Sequence, residues 1–171
     1  MKVVEVAIHG LILEPKSQQN VVILQETEGS RILPIWIGPG EALAIRRLIN
    51  DEPFPRPLTH DLLQTLLDGL KARVTRVVIA ELRERTYFAN VVVERDSDVV
   101  SVDARPSDAI AVALRAKAAI FVNDELLEEP RPAEPGDEEA TPRELTDEEK
   151  ADQLRRFLEK LDPEDFGKFQ M

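Results

Sequence analysis

Apolar stretches separated by short polar stretches of turn composition predict two sets of three β-strands. The second set is rich in Val, Ile, Tyr and Phe, which favour strands. Strands joined by such short turns pair antiparallel with their chain neighbours. We therefore expect two antiparallel meanders. The first comprises residues 2–13, 20–26 and 31–37, and the second comprises residues 73–83, 86–95 and 98–104.

Each predicted meander is followed by a helical pattern. Pro39 stands where the first residue of a helix is expected, and residues 41–50 continue that helix. Thr59 is expected to cap a second helix that runs to about residue 70. Its spacing predicts a buried leucine stripe. The stripe consists of Leu62, Leu63, Leu66, Leu67 and Leu70.

A third helix is expected from Pro106 to about residue 117, followed by a short strand over residues 119–122. Positions 109–114 are all apolar, which predicts a helix at the centre of the domain. The order of three strands followed by helix, seen twice, favours an α+β fold. We expect two antiparallel β-meanders with packed helices in one compact domain, followed by a flexible acidic tail with a short helix.

Charge and composition divide the chain of 171 residues at its last quarter. Residues 1–128 hold 15 basic and 19 acidic side chains, whereas residues 129–171 carry most of the net charge of −11. Residues 129–145 mix prolines with acids, which predicts a disordered linker. Thr146 and Glu149 form a capping-box pattern that begins an amphipathic helix over residues 146–161. Its apolar stripe is Leu154, Phe157, Leu158 and Leu161.

Composition also narrows the classes of function. The absence of cysteine excludes disulfide frameworks, thiolate metal sites and a cysteine nucleophile. The first residues lack the apolar run of a signal peptide, and no stretch approaches ~20 consecutive apolar residues. We expect a cytoplasmic protein with no membrane contact. Its acidity argues against broad attraction to nucleic acid, so such binding would need local arginines or a metal.

Polar residues at the predicted helix starts are the candidates for chemistry. Glu41 lies within ~40° of Ile45 and Leu48 on the helical wheel, so this carboxylate projects from an apolar stripe and needs a partner. The alternative is that it only stabilises the positive end of its helix. His60 lies at the border of the leucine stripe and can reach inward as a general base or metal ligand. Asp61 beside it is a second acid at a helix start.

Ser107 and Asp108 lie in the first turn of the third predicted helix, and Arg105 comes just before it. Free backbone N–H groups there could bind a phosphate, or they could hold a carboxylate that in turn binds a metal. Asp108 and Arg115 fall within ~20° of each other on the helical wheel, two turns apart, which allows a shared face. The alternative for this helix start is a cap with an ion pair.

Three segments together resemble the bifunctional nuclease domain family. They are the run LPIWIG at residues 33–38 leading to Glu41-Ala42, the run RPLTHDL at residues 56–62, and the run RPSDAIA at residues 105–111. Their order and spacing match as well as their residues. The resemblance covers about residues 2–127 and leaves the acidic tail unexplained.

The resemblance implies a self-associating α+β domain, with a homodimer as the expected oligomer, that cleaves RNA, DNA or both with low sequence specificity. It implies catalytic roles for His60, Asp61 and Asp108. As a hypothesis, Glu41, Asp61 and Asp108 hold Mg²⁺ or Mn²⁺, since oxygen ligands suit these ions. His60 would take a proton from water. Arg105 and Ser107 would bind the substrate.

A second function from a different class stays open. In it, the chain is a non-catalytic oligomeric binding or regulatory module, and its C-terminal helix recruits a protein partner. The tail also suggests autoinhibition, because its negative charge could occupy a basic groove when nucleic acid is absent. Dependence on a divalent cation separates the two functions, since only a nuclease site needs one.

Overall fold

A computed structural model describes residues 1–14, 17–130 and 155. The predicted linker over residues 129–145 and the predicted helix and tail over residues 146–171 therefore lie almost entirely outside the described residues. The described fold is that of the body of the chain, up to Pro130.

Both predicted meanders are present. Each strand pairs antiparallel with the next, and the strand bounds agree with the sequence prediction to within one residue. Positive φ angles at Glu84, Arg85 and Asp96 fit the tight hairpin turns that close the second meander. The strands are β1 (Val3–Leu13), β2 (Asn20–Glu26), β3 (Ile32–Ile37), β4 (Arg73–Arg83), β5 (Thr86–Arg95) and β6 (Asp98–Ala104).

A seventh strand, β7 (Ala119–Asn123), joins the meanders into one sheet. It pairs antiparallel with β1 and parallel with β4, which gives the order β3-β2-β1-β7-β4-β5-β6. The sequence predicts β7 itself. It does not predict this placement, because a short apolar pattern does not specify which strands flank it. The architecture is α+β, as expected.

Three helices pack on one face of the sheet: α1 (Pro39–Ile49), α2 (Thr59–Gly69) and α3 (Pro106–Ala116). Helix α3 lies at the centre, against β4, β5 and β7, and contacts both α1 and α2. Its residues 109–113 are all buried in the main core, as its continuous apolar run predicts. The first turns of the helices bring the candidate polar residues to this side of the sheet.

The prediction for α2 is wrong in two respects. The residue that caps it is Leu58 rather than Thr59, and the expected leucine stripe is largely exposed. Only Leu67 packs against the core. The physical reason is that His60 and Asp61 form hydrogen bonds with residues of α3, which turns their side of α2 inward. The remaining stripe residues have 42% to 60% of their surface exposed: Leu62, Leu63, Leu66 and Leu70.

The contrast between buried and exposed leucines predicts a difference in stability. We expect Leu33→Ala, at a fully buried position, to lower the free energy of unfolding by ~2–5 kcal/mol, because it leaves a cavity in the core. The matched change Leu66→Ala on the exposed face of α2 should alter it by less than about 0.5 kcal/mol. Urea denaturation measures both, and equal losses would contradict the orientation of α2.

Candidate functional site

The first turns of the three helices carry one acid each. Glu41, Asp61 and Asp108 are each the third residue of their helix, in α1, α2 and α3 respectively. A carboxylate at this position is stabilised by the positive end of the helix dipole. The shared position does not make the three acids equivalent, because their partners differ.

Arg105 bridges two of these acids. Its Nε donates to Asp108 Oδ2 at 2.7 Å and one terminal nitrogen donates to Asp108 Oδ1 at 3.1 Å. The other terminal nitrogen lies 2.9 Å from Glu41 Oε1. Glu41 therefore has the partner that its position on an apolar stripe requires. The Arg105 side chain is 57% exposed, so its guanidinium also faces solvent.

His60 reaches inward from α2 and meets α3. Its Nε2 lies 2.9 Å from Asp108 Oδ1, and most of its side chain is buried. Burial alone would raise the pKa of Asp108, but hydrogen bonds from Arg105 and His60 outweigh burial and lower the pKa below its usual value. Asp108 is therefore ionised at neutral pH. We call Glu41, His60, Arg105 and Asp108 the helix-start cluster.

Asp61 lies in a separate set of bonds. Its Oδ2 accepts from the Leu58 backbone N–H at 2.8 Å, and its Oδ1 accepts from Arg115 Nε at 2.6 Å. Burial alone would raise the pKa of Asp61, but the bonds from Leu58 and Arg115 lower it by more, so the net shift is downward. Both carboxylate oxygens are thus occupied in fixing the start of α2 against α3.

Arg115 is the residue whose role the sequence did not reveal. The helical wheel allowed it to share a face with Asp108, yet it pairs with Asp61 of α2. Its side chain is 6% exposed, and a terminal nitrogen also donates to the Ala111 carbonyl oxygen. A buried arginine requires a carboxylate partner. A basic residue at the end of an otherwise apolar helix was the available signal.

Two assignments from the sequence stay predictions: the substrate-binding role of Ser107 and the metal site. Ser107 is buried, with 5% of its surface exposed, on the inner side of the first turn of α3. For the metal, no group of three or more His, Asp or Glu side chains within the described part of the chain has the arrangement of a metal site. A cation at Asp61 would also have to displace Arg115.

The helix-start cluster has an excess of negative charge. Glu41 and Asp108 contribute two carboxylates against the single guanidinium of Arg105. The charges of Asp61 and Arg115 balance each other. The site therefore favours a cation or a proton over a bare polyanion.

The mixed sheet, the three helices on one face and the polar cluster at their starts define an α+β domain with a candidate site at converging helix N-termini. The chain belongs to the bifunctional nuclease domain family, because the model of that family, described as the Bifunctional nuclease domain, matches residues 22–134. That range contains every residue of the helix-start cluster.

Two kinds of relatives accompany this match. An uncharacterized protein of Mycobacterium tuberculosis is 38% identical over 164 residues, which is 95% of this chain and 97% of that protein. Bifunctional nuclease 2 of Arabidopsis thaliana is 28% identical over 108 residues, covering 61% of this chain and 33% of the plant protein. Bifunctional nuclease 1 of Oryza sativa subsp. indica is 25% identical over 117 residues, covering 66% of this chain and 35% of that protein.

None of the helices in the described part of the chain is both long enough and apolar enough to cross a bilayer. The three helices are 11 residues each, about half of the ~20 residues that a span needs.

The bonds of Asp61 predict a pH-dependent contribution to stability. At neutral pH, Asp61→Asn should lower the free energy of unfolding by ~1–3 kcal/mol, because it removes the charged partner of the buried Arg115. The folded-state pKa of Asp61 is lowered, so this contribution is present above the unfolded-state value of ~3.9 and is lost as the pH falls through the folded-state pKa. Urea denaturation at several pH values measures it.

The exposed Asp68 on the same helix provides the control. The free energy of unfolding of Asp68→Asn should stay close to that of the unsubstituted protein at every pH. The free energies of unfolding of Asp61→Asn and of the unsubstituted protein should converge at acid pH. A constant difference between them would contradict a role for the ionised carboxylate.

Proposed function

We propose that this chain is a nuclease that hydrolyses phosphodiester bonds of RNA or DNA at the helix-start cluster. The observation that carries the proposal is a histidine bonded to an ionised aspartate beside an exposed arginine, in a domain of the bifunctional nuclease family. Hydrolysis of a phosphodiester requires an activated water and stabilisation of the charge that develops at phosphorus. The cluster contains a group suited to each task.

His60 is the proposed general base. The ionised Asp108 can only accept a hydrogen bond, so His60 Nε2 carries the proton between them. That tautomer leaves Nδ1 as the nitrogen that accepts a proton from water. Asp108 then stabilises the imidazolium that forms, and it also fixes the orientation of the ring.

Arg105 is the proposed phosphate contact. A guanidinium has five N–H donors, and the ion pairs with Asp108 and Glu41 engage three of them. The remaining donors and the exposed edge of the group are available for a phosphate oxygen. Glu41 and Asp108 position the guanidinium, so that little side-chain entropy is lost on binding.

A divalent cation is the proposed cofactor, because the negative excess of the cluster opposes a phosphodiester. Mg²⁺ commonly binds one or two protein carboxylates together with substrate phosphate oxygens. Glu41 fits this role best, because its contact within the cluster is a single ion pair, through Oε1, with Arg105. Both oxygens of Asp61 and both oxygens of Asp108 already accept bonds, so a cation at either would have to displace an arginine. When bound, the cation would neutralise negative charge at the reacting phosphate.

Cleavage assays test the proposal directly. Purified protein is incubated with single-stranded RNA and DNA in Mg²⁺, Mn²⁺ or EDTA. We expect metal-dependent cleavage, and we expect His60→Ala to reduce the rate by ~10²–10⁴-fold, as for loss of a general base. Asp108→Ala should cause a loss of similar order, because it removes the group that orients His60.

The only other histidine, His9, provides the matched control. It lies on β1, outside the helix-start cluster, so His9→Ala prepared in the same way should retain the original rate. Equal cleavage by the His60→Ala and His9→Ala proteins would place the activity elsewhere or in a contaminant. Cleavage that persists in EDTA would refute the proposed cofactor.

The exposed face of α2 favours a second candidate function, an oligomeric binding module whose partner is a second copy of the chain. Leu62, Leu63, Leu66 and Leu70 form an apolar face without a charged side chain. Around a two-fold axis, the same leucines from both copies would face each other. This face begins one turn from His60, so pairing would also shield one side of the cluster.

Light scattering tests self-association through α2. We expect a dimer for the unsubstituted protein and a monomer for Leu62→Ser/Leu66→Ser, because the polar residues remove the apolar contact. Thr65→Ser, on another side of the same helix, should leave the dimer intact. A dimer that persists in the leucine variant would exclude this face as the interface.

A further inference from the structure

The sheet has a second apolar face, opposite the helices, at its β2–β3 edge. Val21 and Ile23 are fully buried there, and Ile32 and Trp36 are each 5% exposed. These residues alternate along β2 and β3 with those of the main core, so they point to the other side. Together with the partly buried Ile12, we call them the second-face cluster.

The described helices do not account for this burial. Helix α1 is the one that packs on β2, and its buried residues Ala42 and Ile45 belong with Val22 and Leu24 in the main core. Helix α3 packs farther along the sheet on that same side, and α2 packs against α3. Within residues 1–14 and 17–130, the second-face cluster contains strand residues only.

We propose that the C-terminal segment over residues 146–161 covers the second-face cluster. The path of the chain supports this occupant. Glu128 pairs with Ile32 on the edge strand β3, with both backbone hydrogen bonds at 2.9 Å. The chain therefore leaves the body directly beside the face that needs a cover, with 41 residues still to follow Pro130.

Length and chemistry fit the same occupant. Residues 131–145 span up to ~50 Å when extended, whereas β3 and β1 are only ~10 Å apart across the sheet. The segment carries an apolar stripe with helical spacing, which suits a flat apolar face. A tether this short also holds the segment at a high effective concentration. The stripe consists of Leu154, Phe157, Leu158 and Leu161.

One of the relatives shares this segment. The match to the Mycobacterium tuberculosis protein spans 95% of the chain and so extends well into the C-terminal quarter. The family model ends at residue 134, and the match to the Arabidopsis thaliana protein spans 61% of the chain. The segment is thus part of what the chain shares with a relative of nearly the same extent.

Trp36 reports directly on the cover, because it is the only tryptophan in the chain. In the full-length protein, we expect Leu154→Ser/Phe157→Ser to shift Trp36 emission to longer wavelength and to raise its quenching by acrylamide severalfold. The control Asp152→Ser/Arg156→Ser changes two residues on the opposite side of the predicted helix and keeps the net charge. It should leave emission and quenching unchanged.

A second measurement is needed if circular dichroism shows that Leu154→Ser/Phe157→Ser no longer folds. The chain has no cysteine, so Lys160→Cys carries a nitroxide label at one position of an otherwise native protein. We expect the label to quench Trp36 emission, and reduction of the nitroxide to restore it. Absence of quenching would overturn the proposal. So would Trp36 accessibility that rises on dilution, since it would identify a second copy as the cover.

Discussion

The burial of α3 is the constraint on which the rest of the structure depends. Its middle residues are enclosed by the sheet, α1 and α2, so its charged groups lie only at its two ends. At the start, Asp108 binds His60 and Arg105, and at the end Arg115 binds Asp61. Both α2 partners are neighbours in sequence, so the two bonds fix that helix in position and in rotation. The apolar interior of the domain thereby determines the geometry of its polar site.

That constraint explains which parts of the fold were predictable from sequence. Hairpin strands follow from local patterns, because each strand pairs with its chain neighbour and its turn closes within a few residues. The α2 helix also follows from its periodicity, but its rotation does not. Apolar spacing predicts that the leucines are buried, whereas hydrogen bonds with α3 turn His60 and Asp61 inward instead. The strength of those pairs depends on burial, which only the assembled fold provides.

The candidate site shows the same division between local and tertiary information. Glu41, His60 and Asp108 could be selected as polar residues at helix starts. In the fold, Arg105 joins Glu41 to Asp108, and Asp108 binds His60. The separate role of Asp61 could not be selected in this way, because it depends on Arg115, which lies 54 positions later in the chain. Adjacent residues of α2 thus have different roles: His60 belongs to the helix-start cluster, while Asp61 anchors the helix.

The two edges of the sheet differ in a way that bears on the acidic tail. Strand β6 is exposed along nearly its whole length, whereas every residue of β3 is buried, although β3 is also an edge strand. An edge buried on both faces needs a cover on each, and α1 supplies one of them. If the C-terminal segment supplies the other, it lies on the face opposite the helix-start cluster and cannot block that cluster at the same time. Autoinhibition by the tail would then require it to leave the sheet, exposing Val21 and Ile23 to water, a cost that favours an uncovered helix-start cluster.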